Sequence, residues 1–80
     1  MNIAICDDES LFRETLITYL RAYSLNKRQN NNCFEFSDGQ ALIESEIDFD
    51  IVFIDYLMGS LNGIDTISLL RKKGLDAYVI

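Results

Sequence analysis

Apolar residues fall into four short runs, each closed by polar or turn-forming residues, with longer mixed stretches between them. Ile3-Ala4-Ile5-Cys6, Cys33-Phe34-Glu35-Phe36, Ile51-Val52-Phe53-Ile54 and Ala77-Tyr78-Val79-Ile80 read as strands. An unbroken β-branched and aromatic run such as Ile51–Ile54 suits a strand buried on both faces of a parallel sheet. After the first run, Phe12, Leu16, Leu20 and Tyr23 recur about every four residues, with Leu11 and Tyr19 alongside. That stripe predicts an amphipathic helix, capped at Ser10 and ended by Asn30-Asn31-Asn32. Ser37 and Gln40 fit a capping box, so a second helix is predicted from Asp38 to about Glu46, with Ala41 and Leu42 turned inward. A third helix is predicted from Asn62-Gly63, with Asp65 in its first turn and Ile64, Ile67 and Leu70 on one face. Arg71-Lys72-Lys73 complement its negative end as a solvated terminus, and Gly74 suits the position just past it.

The resulting order is β-α-β-α-β-α-β. Strands alternating with helices imply parallel pairing through right-handed crossovers, hence a doubly wound α/β sheet. If strand 2 lies on one side of strand 1 and strand 3 on the other, the strand order is 2-1-3-4. The gap between strands 1 and 3 is then a topological switch point, where such sheets bind ligands outside the carboxyl ends of their strands. Asp7 and Asp8 follow the first strand and Asp55 follows the third, so all three flank that gap.

Composition narrows the partners. Eighty residues allow one domain, taken as residues 1–80. A net charge of −6 opposes a direct grip on nucleic acid, which needs clustered Lys and Arg. Cys6 and Cys33 lie in strand patterns without metal-ligand spacing, as buried thiols of a reducing compartment would. Acidic residues from Asp7 onward oppose a signal peptide, and no apolar run approaches the roughly 20 residues of a membrane helix. A cytoplasmic location is expected.

Like charges a few ångströms apart disfavour their own ionisation, and a hard divalent cation with oxygen ligands removes that conflict. Mg²⁺ suits one or two carboxylates, a backbone carbonyl and waters. It also neutralises phosphoryl oxygens while an aspartate acts as nucleophile. Asp55, ending the central strand, is the candidate nucleophile. Asp8 is the candidate direct ligand, Asp7 a second or water-bridged one, and the Leu57 carbonyl a further donor. Against this stands the plainer reading that aspartates at strand ends cap turns and helix starts. Three at neighbouring strand ends argue for a metal or phosphate site.

Asp7-Asp8-Glu9 after strand 1, Asp55 after Ile51–Ile54, Met58 three residues on, and Asn62-Gly63 before helix 3 resemble the receiver domain of two-component response regulators. The resemblance runs through all 80 residues. It implies that Asp55 accepts phosphate from a phosphohistidine on a sensor histidine kinase. It also implies Mg²⁺ held by Asp8, Asp55 and the Leu57 carbonyl, with Asp7 assisting. The chain has no histidine, so the donor belongs to another molecule. Ile5-Cys6-Asp7-Asp8-Glu9 is most like receivers coupled to LytTR-type DNA-binding domains, implying transcription regulation through a downstream domain. On this reading the domain is a phosphoacceptor catalysing its own modification, not an enzyme with a separate substrate.

The sequence departs from the family in two ways. Gly59 stands where the family has Pro, which implies a looser loop. The chain also stops after strand 4, before the family's Thr or Ser, its Lys, helix 4, strand 5 and helix 5. The expectation is a partial receiver whose Ala77–Ile80 edge pairs with another chain in self-association. Rival chemistries fit less well. An Asp-x-Asp phosphatase would need an acid where Leu57 stands, and neither Gly-x-Gly-x-x-Gly nor Gly-Lys-Ser/Thr occurs. The alternative that stays open is an interaction module of the same fold that works without phosphorylation.

Overall fold

A computed structural model of the chain describes residues 1–27, 30–56 and 62–80. The elements run β1 (Asn2–Cys6), α1 (Ser10–Lys27), β2 (Asn32–Phe36), α2 (Gly39–Glu44), β3 (Ile51–Ile54), α3 (Gly63–Lys72) and β4 (Tyr78–Val79). The strands form one parallel sheet in the order β2-β1-β3-β4, with Cys6 beside Phe36 on one side and Ile54 on the other. The α/β class and the 2-1-3-4 order are those read from the sequence. β4 is shorter than the four-residue run predicted there.

Strand alternation divides the core into two layers. Ile3 and Ile5 pack with Ile51, Phe53 and Cys33 under α1 through Leu16, Ile17 and Leu20. Ala4, Cys6, Val52, Ile54, Phe34 and Phe36 face the other way, toward Leu42 of α2 and Leu70 of α3. Phe49 closes that second layer, its ring edge-on to both Phe34 and Phe36 at 5.8 Å.

The helix faces match the predicted ones in part: Leu16 and Leu20 of α1 and Ile67 and Leu70 of α3 pack on the core, and the rest differ. Ile17 is buried on the sheet, while Phe12 is 54% and Tyr19 71% exposed, and Leu11 and Tyr23 are exposed too. Counting in fours from Phe12 explains the error, because each such step drifts about 40° round a helix of 3.6 residues per turn. In α3, Ile64 is 56% exposed and the buried residues are Gly63, Thr66 and Leu70. Thr66 is 0% exposed, its hydroxyl donating to the Asn62 carbonyl at 2.8 Å.

The caps shift as well. Glu9, not Ser10, holds the cap position of α1, its carbonyl accepting from Arg13 N–H at 3.2 Å. Asp38, not Ser37, caps α2, accepting from Ala41 N–H at 2.7 Å. α2 ends at Glu44 because the Ser45 amide and hydroxyl take its last carbonyls. Asn62 caps α3 as expected. Gly74, at φ 98°, ends α3: its amide bonds the Arg71 carbonyl and the Leu75 amide bonds that of Leu70, a Schellman motif. The basic end of α3 is more than a solvated terminus. Arg71 donates to the Leu75 and Ala77 carbonyls and Lys73 to the Ile43 carbonyl, tying α3 to the segment that leads into β4 and to α2. Among the described residues no helix is long and apolar enough to cross a membrane.

Candidate metal and phosphoryl site

Asp7 and Asp55 stand one step beyond the Cys6–Ile54 pair, at the carboxyl ends of adjacent parallel strands. Ladder hydrogen bonds carry on into both. Asp55 N–H donates to the Cys6 carbonyl at 3.0 Å, and Asp7 N–H to the Phe36 carbonyl at 3.1 Å. The alternation that sends Ile5 and Phe53 toward α1 applies to Asp7 and Asp55 in turn. Asp8 follows in the loop that enters α1. Carboxylate oxygens of Asp7, Asp8 and Asp55 lie within 4.8 Å of one another. The three acids assigned to one site from the sequence therefore do meet there. The Leu57 carbonyl, Met58 and Gly59 lie outside the described residues.

Burial separates the adjacent pair. Asp7 is 8% exposed and its Oδ1 accepts Glu9 N–H at 2.9 Å, whereas Asp8 is exposed. Asp55 is half-buried. Behind the acids, burial first and then the carboxylates of Asp38 and Asp7 push the Cys6 thiol up to about 12; Asp55 adds to this and Arg13 opposes it. Cys6 Sγ donates to the Asp38 carbonyl at 3.3 Å.

The far wall of the site is set by a close approach. A Cβ on Gly63 would lie 2.5 Å from the Asp55 carbonyl oxygen, so only glycine lets α3 begin this near the end of β3. Gly63 N–H closes the intervening loop on the Tyr56 carbonyl at 3.0 Å. An open cleft of ≈ 470 Å³ adjoins the acids, walled by Phe12, Phe53, Tyr56 and Ile80, with room for an approaching group. Tyr56 there is 59% exposed. The larger cleft, ≈ 690 Å³, is at the opposite end of the strands between Met1, Asp50 and Tyr78, away from the three acids.

The donor set fits a hard cation. Mg²⁺ takes oxygens at 2.0–2.1 Å, so opposite ligands stand roughly 4.2 Å apart. Adjacent ligands stand closer still, so oxygens within 4.8 Å share one ion by drawing together or through a bridging water. Sequence reading missed Arg13, whose Nη1 donates to the Asp7 carbonyl and whose Nε pairs with Glu35 Oε1 at 3.2 Å. A signal was available: long side chains near a helix start lean back over the preceding turn.

Comparison with known proteins agrees with this geometry. No curated protein matches the chain. The family model of the response regulator receiver domain, however, matches residues 3–80. The strand order, the acids at the switch point and that match together place the chain in the response regulator receiver domain family, on the phosphoacceptor side of two-component signalling.

Proposed function

We propose that Asp55 accepts a phosphoryl group from a phosphohistidine on a sensor histidine kinase. The convergence of Asp7, Asp8 and Asp55 at the mouth of the β1–β3 gap carries this reading. An Asp55 carboxylate oxygen attacks phosphorus, the P–N bond breaks with its electron pair leaving on the imidazole nitrogen, and an acyl phosphate forms. Bound Mg²⁺ would neutralise the phosphoryl oxygens and the crowded carboxylates. Asp8 and Asp55 are its direct carboxylate ligands on this reading. The exposure of Asp8 supports that role, as does the commitment of Asp7 Oδ1 to the Glu9 amide, which suits Asp7 to a water-bridged part. The Leu57 carbonyl is the further donor. The domain assists its own phosphorylation and turns over no separate substrate. It works in the cytoplasm and contacts no nucleic acid itself, leaving transcription regulation to a DNA-binding domain of the intact protein.

The test is intact-mass spectrometry after incubation with a small-molecule phosphodonor and Mg²⁺. One added phosphoryl group is expected, and none in Asp55→Asn. A folded sample that takes up no phosphoryl group would favour the phosphorylation-independent interaction module.

Self-association belongs to the same proposal. β4 lies at one side of the sheet, and Tyr78, Val79 and Ile80 are exposed, which suits strand addition by a second copy. Light scattering of this chain should show a concentration-dependent mass above 9.2 kDa. A strictly monomeric, cooperatively folding sample would refute it.

A further inference from the structure

Arg13 is half-buried between three elements. Its Nη1 donates to the Asp7 carbonyl, its Nε pairs with Glu35 of β2, and its backbone belongs to the first turns of α1. Its side chain is 15% exposed against 44% for Glu35, so the guanidinium is the more enclosed partner. Asp7 is thereby held at three points: amide on Phe36, carbonyl on Arg13, and carboxylate on the Glu9 amide. Asp8 is exposed and follows directly on this fixed Asp7 peptide.

We infer that Arg13 is a positioning residue for the cation site, a clamp that fixes the Asp7–Asp8 backbone to β2 so that both carboxylates face Asp55. The inference rests on the Mg²⁺ reading above and assigns a residue that touches neither ion nor phosphoryl group. Two contributions of Arg13 to cation affinity have opposite signs, and this makes the claim decidable. As a nearby positive charge it repels a cation, so removing it would tighten Mg²⁺ binding. As a clamp it keeps the ligands in place, so removing it would weaken binding by roughly tenfold or more, as for other outer supports of metal ligands. Lys keeps the charge but not the planar fork that reaches two acceptors at once.

The experiment is a Mg²⁺ titration of the full chain followed by amide NMR, with hydrogen exchange of the Glu9 amide measured without metal. Arg13→Gln should lower affinity roughly tenfold or more and speed Glu9 exchange. Arg13→Lys should recover only part of the affinity, and Glu35→Gln should lose less than Arg13→Gln. Unchanged or tighter binding in a folded Arg13→Gln variant, with wild type binding normally, would overturn the clamp and leave the Mg²⁺ reading standing. A wild-type chain that binds no Mg²⁺ would overturn both. A variant that loses stability in urea while keeping affinity and Glu9 protection would reduce Arg13 to a general structural role and so also refute the clamp.

Discussion

The thiol of Cys6 lies in the core layer that faces α2 and α3, near the carboxylates of Asp38, Asp7 and Asp55. Burial is the largest reason that its ionisation moves from 9.0 up to about 12. Linkage gives the consequence for stability. Between those values the unfolded chain has released the Cys6 proton while the folded chain keeps it, so the folded state binds more protons and loses relative stability as pH rises. Below 9.0 both states hold the proton and the effect vanishes. Urea midpoints measured at neutral pH and again above 9.0 should therefore fall further for wild type than for Cys6→Ala. Equal falls would show that the thiol ionises as readily folded as unfolded. Cys6 is thus a buried thiol that stays protonated at neutral pH.

The start of α3 and the end of β3 approach so closely that one hydrogen atom decides the packing. In Gly63→Ala the new methyl would meet the Asp55 carbonyl oxygen at 2.5 Å, and backbone must move. Overpacking of this kind costs about 1–3 kcal/mol. Urea denaturation should show that loss, and the Asp55 amide should shift in NMR spectra; a variant as stable as wild type with an unmoved Asp55 would contradict the contact. The strands were readable because runs such as Ile51–Ile54 carry their own signal, and Asn62 and Gly74 mark the ends of α3 by chemistry that is local to them. The buried face of α1 was not readable by size and apolarity alone, since Phe12 and Tyr19 point to solvent while Ile17 meets the sheet. Thr66 was invisible for a related reason. Its hydroxyl is satisfied by its own helix, which frees it to pack against α2, where a Cβ on Gly39 would lie 2.0 Å from its Oγ1.

Across the molecule, the parallel order β2-β1-β3-β4 is what turns sequence-distant acids into neighbours. Asp7 and Asp55 are 48 positions apart in the chain, yet pairing of β1 with β3 sets them side by side at one end of the sheet. This much followed from counting strands and asking where each carboxylate falls. Half of the support beneath it did not, because Arg13 reaches Glu35 only once β2 lies beside β1, whereas its contact with Asp7 is local to the start of α1. The central claim is that two separate acidic segments hold one cation beside a nucleophilic carboxylate. Its most direct measurement is a Mg²⁺ titration comparing Asp8→Ala with Glu9→Ala. Wild type should bind at a single site, Glu9→Ala with near-normal affinity, and Asp8→Ala roughly tenfold or more weakly. Equal affinity in the two variants would contradict the claim.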